Sequence, residues 1–334
     1  MTASSPPGPS PSGPLDVAVV EDVWGRPFDE LAGRRRVERQ PDAWNDPDAL
    51  ASLAARSRAL VVRNHTRVTR ELLVGAPTLQ LVGRAGAGVD NIDVAAADEL
   101  GVVVVCTPGA SARSVAEHAL CLALALARDL PGHEHRLRQG LWDRRLGIEL
   151  AGRTWGVVGL GATGGAVARL AQSIGMDVVA YDPYLPDGAD PVPGVRRLGD
   201  LFELAEAADV VSLHAPLTGA TAGLVGAAFL DHMRPDSFLV NVARGGLVDE
   251  EALAEALDAG RPAGAALDVR AHEPPVPGRL DRHERVILTP HVAGLTHEAQ
   301  LAVVAMLADD IDRVLTGAPA THPAGERRRP GERP

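Results

Sequence analysis

Two α/β domains, each a doubly wound parallel sheet, are expected from three observations. The 334 residues exceed what one ordinary hydrophobic core organises and suggest two domains. Short continuous apolar runs alternate with helix-forming stretches, the pattern of strands buried on both faces by helices. Finally, Gly159-Leu160-Gly161-Ala162-Thr163-Gly164 lies between an apolar strand and a helix, and Asp182 closes the following strand. That is the layout of a Rossmann βαβ unit, in which glycines let the backbone approach a pyrophosphate. The glycines begin almost halfway along the chain, so a complete domain precedes them.

The elements follow in order. Residues 1–14 are Pro/Ser/Gly-rich, lack the charged start and apolar core of a signal peptide, and read as a disordered tail. Strands are expected at 15–20, 59–63, 79–84 and 102–105, with helices at 69–74 and 92–100 between them. Thr107-Pro108-Gly109 is a turn that closes this first domain near residue 110. A helix from 111 to 130 should stop at Pro131-Gly132, with a second helical stretch over 133–140. The dinucleotide-binding domain then has strands at 154–158, 177–181, 210–214, 238–242, 264–268 and 285–289. A last helix, 298–315, is long enough to return to the first domain. The resulting division is 15–110 with 298–318 for the first domain and 111–297 for the second. A tail over 319–334 and no further domain complete the expectation. Both halves read as Rossmann/flavodoxin-like sheets, with an active-site cleft expected between them.

Composition excludes several classes. A net charge of −11 argues against a nucleic-acid partner, which would demand a basic face. The longest apolar run, 119–127, is too short to span a membrane. Two cysteines cannot build a disulfide framework and fit a reducing, cytoplasmic setting; Cys121, in an Ala/Leu-rich helix, reads as a buried thiol. All 33 basic residues are arginine, which rules out a Walker-A lysine, a Schiff-base lysine and a Tyr-x-x-x-Lys dyad. His133 and His135 alternate on a helix, which points their rings apart, and no metal site is expected.

Three later segments begin at strand ends: Asn241-Val242-Ala243-Arg244-Gly245-Gly246, Asp268-Val269-Arg270-Ala271-His272-Glu273, and Thr289-Pro290-His291-Val292-Ala293-Gly294. Arg244, Asp268, Glu273 and His291 should therefore face the crevice where an open α/β sheet binds its ligand. Taken singly, such residues are more often surface ion pairs or turn caps. Together, and with Val82-Gly83-Arg84-Ala85-Gly86-Ala87-Gly88 and Ser114-Val115-Ala116-Glu117-His118 upstream, they resemble the D-2-hydroxyacid dehydrogenase family over roughly 55–315. Within that family the 3-phosphoglycerate dehydrogenase core is nearest.

The resemblance implies a chemistry that suits the residue types. Arg244 would clamp the carboxylate and carbonyl of a 2-keto acid with parallel hydrogen bonds. His291 would give or take the proton, with Glu273 favouring its charged form. NAD would be the cofactor: Gly159, Gly161, Ala162, Thr163 and Gly164 at its pyrophosphate, and Asp182 on the adenosine ribose, where a carboxylate repels a 2′-phosphate. By resemblance His214, Ala215, Pro216, Val242, Ala243 and Gly294 line the cofactor, and Asp268 holds the nicotinamide carboxamide. Arg63, Arg84, Ala85, Gly86 and Ala87 are expected at the substrate's carboxylate end. His118 is assigned to packing between the domains. A homodimer is expected through the cofactor domain, with Trp142, Arg144 and Arg145 in a segment that reaches across it. The rival reading is an NAD(H)-sensing, corepressor-like binding protein on the same fold; a formate or phosphonate dehydrogenase is a third.

Overall fold

The computed structural model describes residues 14–186 and 188–331, so all but the last residue of the expected N-terminal tail lies outside them. The described chain divides into two compact units, one running to Ala110 and resuming at Gln300, the other Ser111–Ala299.

The first unit contains β1 (Leu15–Val19), α1 (Arg26–Ala32), β2 (Val37–Arg39), α2 (Pro47–Ala55), β3 (Ser57–Val62), α3 (Arg70–Val74), β4 (Leu81–Arg84), α4 (Val94–Leu100) and β5 (Val103–Val105). Its five strands are all parallel in the order β2-β1-β3-β4-β5, a doubly wound, flavodoxin-like sheet. Side chains alternate between two cores. Val17, Val19, Val61 and Leu81 pack with Val304, Leu307 and Ile311 of the chain's last helix, whereas Leu60, Val62 and Val82 pack with Leu53, Leu73 and Ala97. Sequence reasoning passed over α1, β2 and α2. β2 is three residues long, sits at a sheet edge and has no fully buried residue, so it carries no apolar run to read.

The second unit contains α5 (Ala112–Ala127), α6 (Leu130–Arg138), β6 (Thr154–Val158), α7 (Ala162–Ser173), β7 (Asp177–Tyr181), β8 (Arg196–Arg197), α8 (Leu201–Ala207), β9 (Val210–Leu213), α9 (Ala227–His232), β10 (Phe238–Asn241), α10 (Glu250–Asp258), β11 (Gly264–Leu267) and β12 (Val286–Leu288). α11 (His297–Leu315) follows and carries the chain back to the first unit. Seven parallel strands run β12-β11-β10-β9-β6-β7-β8, and the order reverses at β6, the strand that leads into the glycine fingerprint. α5 and α7 cover one face over Trp155, Val157 and Val240, while α8, α9 and α10 cover the other over Val158, Val211 and Leu239.

Three expectations are corrected. The helix expected to run to residue 130 stops at Ala127, because Asp129 takes a left-handed conformation (φ 45°); Pro131 then lies in the first turn of α6 instead of ending α5. A proline costs nothing in a first helical turn, where its missing N–H has no helical partner to lose. Cys121, expected to be buried, is exposed on the outer side of α5, while Cys106 is the buried thiol. The stretch 319–331, assigned to a tail, lies along the edge strand β5. Val105 bridges Pro323, the Ala324 N–H donates to Val104 O (2.8 Å), and the Cys106 N–H donates to His322 O (3.1 Å). Asp310 of α11, fully buried, accepts from the Thr321 and His322 amides and from His322 Nδ1 (2.8 Å). An edge strand offers unpaired backbone groups, and this polar stretch satisfies them. Among the described residues no helix is long and apolar enough to cross a membrane.

Candidate active site and cofactor cradle

Every candidate group of the second unit sits where a strand of its sheet ends. At the end of β6, Gly159 has φ +90°, and a Cβ there would lie 2.9 Å from the backbone of His214 and Ala215 after β9. A Cβ on Gly164 would come within 1.9 Å of Gly159 O, whereas one on Gly161 would meet nothing within 4 Å. The first and third glycines therefore permit close backbone packing, and the second leaves room over the N-terminus of α7. There the amides of Ala162, Thr163 and Gly164 lack helical acceptors and suit an anion. Asp182, after β7, accepts from the Leu160 amide through Oδ2 (2.8 Å) and from the Tyr184 amide through Oδ1 (3.0 Å). Each oxygen keeps lone-pair capacity for a hydroxyl donor. The open space at Gly161 beside these donors and this acid fits a dinucleotide.

His214 carries a further constraint. Trp155 Nε1, which can only donate, donates to Ser212 Oγ (2.8 Å), and Ser212 Oγ lies 2.8 Å from His214 Nε2. A serine oxygen has one hydrogen and two lone pairs, so it can accept from Trp155 and still either donate to or accept from Nε2, while His214 Nδ1 is buried without a hydrogen-bond partner among the described residues. Burial pushes the His214 pKa down to about 3, so the ring is neutral near pH 7.

The proposed clamp and acid/base groups lie on the next strand ends. After β10, the buried Asn241 side chain accepts from the Ala243 amide (3.1 Å) and donates to Arg244 O (2.9 Å). That pair of bonds shapes the Val242–Arg244 turn. After β12, His291 adopts φ +54°, and its Nδ1 lies 2.7 Å from Glu273 Oε2, each side chain being about 30% exposed. Burial alone would raise the Glu273 pKa, but the hydrogen bond and charge of His291, with the Arg270 amide, hold it below the usual carboxylate range.

Asp268, only 1% exposed, builds the loop that carries His291. Its Oδ1 accepts from Thr289 Oγ1 and the Val292 amide, its Oδ2 accepts from the Ala293 amide (2.9 Å), and its backbone O accepts from the His291 amide (2.7 Å). Burial would raise this pKa as well, and the bonds from His118, Thr289, Val292 and Ala293 bring it below its ordinary value. His118 on α5 is thus a partner of Thr289 (3.1 Å) and Asp268 (3.5 Å) within the second unit. The neighbouring Gly294 lies against Ser111.

Sequence reasoning missed the group that holds Glu273 from behind. Arg270 is bidentate to Glu250 at the start of α10 (3.1 and 2.8 Å) and bonded to Asp281 (3.1 Å), while the Ala271 amide donates to Glu250 (2.8 Å). The Arg270 amide itself donates to Glu273 (3.1 Å), and a Cβ on Gly245 would strike Arg270's carbonyl carbon at 1.9 Å. One arginine thus ties together the loops bearing Arg244 and Glu273.

In the first unit, the residues expected at the substrate's carboxylate end lie at or just after the carboxyl ends of the adjacent parallel strands β3 and β4. Arg84 is 7% exposed; its guanidinium donates to Asn64 Oδ1 (2.9 Å) and to Ala85 O (3.1 Å). Gly86 makes room for it, since a Cβ there would overlap Arg84 Nη1 at 1.5 Å. Ala85 is buried and Ala87 exposed. Arg63 donates to Asp22 O (3.3 Å).

Strand order, fingerprint and acid together define a dinucleotide-binding α/β protein with a carboxylate-paired histidine. Residues 120–293 match the family model of the D-isomer specific 2-hydroxyacid dehydrogenase NAD binding domain. The chain belongs to the D-isomer specific 2-hydroxyacid dehydrogenase family. It is 46% identical over 260 residues to the D-3-phosphoglycerate dehydrogenase of Methanocaldococcus jannaschii, covering 77% of this chain and 50% of that one. The corresponding protein of Archaeoglobus fulgidus is 45% identical over 264 residues, 78% of this chain and 50% of that one. The chain thus spans about half the length of the curated relatives it matches. Among solved structures, the NADPH-dependent glyoxylate/hydroxypyruvate reductase of Sinorhizobium meliloti, in complex with NADP and malonate, superposes with a TM-score of 0.83 at 31% identity, covering 96% of this chain and 99% of that one. A protein from Thermus thermophilus gives 0.86 at 34% identity, with 93% and 100% covered.

Proposed function

We propose that this protein is an NAD-dependent dehydrogenase interconverting a D-2-hydroxy acid and its 2-keto acid, of the 3-phosphoglycerate, hydroxypyruvate or glyoxylate type. The reading rests chiefly on the His291 Nδ1–Glu273 Oε2 contact of 2.7 Å, which leaves the other imidazole nitrogen to serve a substrate. Bound NAD would supply or accept the hydride. His291 Nε2 gives a proton to the carbonyl oxygen in reduction and takes it from the hydroxyl in oxidation, and Glu273 balances the imidazolium charge. Arg244 pairs with the carboxylate and carbonyl, turning the carbonyl carbon toward the hydride. Arg63, Arg84 and the Ala85–Ala87 loop serve the carboxylate end. Asp182 takes the adenosine ribose hydroxyls and selects NAD over NADP, in contrast to the NADPH-dependent Sinorhizobium reductase.

NADH oxidation is measured with phosphohydroxypyruvate, hydroxypyruvate, glyoxylate, pyruvate and sulfopyruvate. Turnover of one or more supports the reading, and NAD binding without turnover of any sinks it.

The same reading includes a homodimer through the second unit. A groove of about 760 Å3, lined by Leu120, Cys121, Leu124 and Leu130 between the charges of Glu117 and Arg128, opens on its surface. The adjoining segment 141–149 exposes Trp142 (79%) and Leu146 (100%). Apolar groove and apolar segment on one unit, with charges of both signs, suit a self-complementary interface with a second copy. Leu124→Arg is expected to turn a dimer into a monomer in sedimentation; a wild-type protein monomeric at micromolar concentration would overturn this part.

A further inference from the structure

One buried carboxylate in the first unit has no part in the reaction so far. Glu21 follows β1 and is 1% exposed. It accepts from four successive backbone amides of the loop after the neighbouring strand β3. Oε1 takes Arg63 N (2.7 Å) and Thr66 N (2.9 Å), and Oε2 takes Asn64 N and His65 N (3.0 Å each). Four converging N–H groups at a strand end form a nest of the kind that binds anions. Here an internal carboxylate fills it, and burial, which would raise the Glu21 pKa, is outweighed by those bonds, so the group stays charged.

The loop is gripped from its other side as well. Asn91 Nδ2 donates to Arg63 O (3.0 Å) and Thr66 O (2.7 Å), and the His65 ring stacks on Trp44 with centroids 4.3 Å apart. Asn64, held in this way, accepts from Arg84 (2.9 Å). With the amides all directed inward at Glu21, only side chains of the loop remain to meet an external anion.

We propose that Glu21 is a positioning residue for substrate binding: it occupies the backbone nest of the 63–66 loop and thereby sets Arg63 and the Asn64–Arg84 pair to receive the anionic end of a 2-keto acid. The proposal rests on the dehydrogenase reading above. It places recognition of the substrate's anion on guanidinium side chains rather than on backbone N–H groups. A neutral amide at position 21 would turn its own N–H donors on the loop's donors and could accept with one oxygen only.

The test uses the full chain and whichever 2-keto acid the panel identifies. Glu21→Gln is expected to raise KM for the keto acid about tenfold or more while kcat at saturation and the NADH Kd change less than about twofold. The amides of 63–66 should lose hydrogen-exchange protection together. Glu21→Asp, which keeps the charge, should restore part of the KM. If Glu21→Gln does not fold, Asn91→Ala loosens the same loop from its carbonyl side and should show the same KM-selective loss. An unchanged KM in a folded variant whose 63–66 amides have lost protection overturns the proposal, and so does a fall in kcat with KM intact. A wild-type protein that turns over no 2-keto acid defeats the functional reading itself, an outcome distinct from turnover with an insensitive KM.

Discussion

His291 is costly to place and is placed by several bonds. A non-glycine residue at φ +54° sits in a sparsely populated region that costs of order 1–3 kcal/mol. Asp268 offsets that strain, accepting from the Thr289 hydroxyl before His291 and from the Val292 and Ala293 amides after it, so its carboxylate works first as a scaffold. Asp268→Ala should therefore destabilise the protein by roughly 2–3 kcal/mol, read as a lower midpoint in urea, beyond any effect on cofactor binding. Glu273→Gln should lower kcat by about 10²-fold or more with the NADH Kd held, because only the charge balance of His291 is lost. At the cofactor end, Asp182→Ala removes the acceptor for ribose hydroxyls and the repulsion of a 2′-phosphate. The NAD Kd is expected to rise about tenfold and the preference over NADP to narrow, measured by fluorescence titration of both.

At the scale of elements, the loops outweigh the helices. Glu250 at the start of α10 holds Arg270, and Arg270 holds Glu273, so one helix terminus fixes a loop that would otherwise be open. The stretch after α11 acts in the same way on the first unit. Its composition of Pro, Gly and Arg suggests a solvated tail, yet Asp310 and Asp98 anchor it along β5, and Arg327 is only 6% exposed. Burying an arginine requires an acceptor, and Asp98 O provides one. A chain ending after residue 317 should lose about 3 kcal/mol or more and melt earlier, since it gives up these bonds and bares an edge strand. Equal melting temperatures for the truncated and full chains would refute that assignment.

Across the whole molecule, the titratable groups with lowered pKa values set an acid limit. Glu21, Asp268 and Glu273 all have folded pKa values below their ordinary values of 4.5, 3.8 and 4.5. A depressed carboxylate contributes stability that is present above its unfolded pKa and lost as pH falls through the folded one. His214, lowered from 6.5 to about 3, acts in the same direction, because the unfolded chain binds its proton first. Stability should accordingly fall from about pH 6.5 downward and more steeply below about pH 4.5, with no matching loss up to pH 8. A flat urea midpoint between pH 7 and 4 would contradict this.

Local chemistry alone determined the parallel strands, the glycine turn and the start of the segments bearing Arg244, Glu273 and His291 after strands. Each depends on spacing within about 20 residues or on a buried apolar run, and both are written along the chain. Only the tertiary structure decided what Glu21, His118, Asp268, Arg270 and Asp310 do. Each is a polar residue whose partners are brought to it by folding, from the far side of a sheet edge or from a loop many residues away. Desolvation makes those partners obligatory, because a buried charge left unpaired costs several kcal/mol. That necessity arises only once the two sheets have formed, so no local pattern announces it.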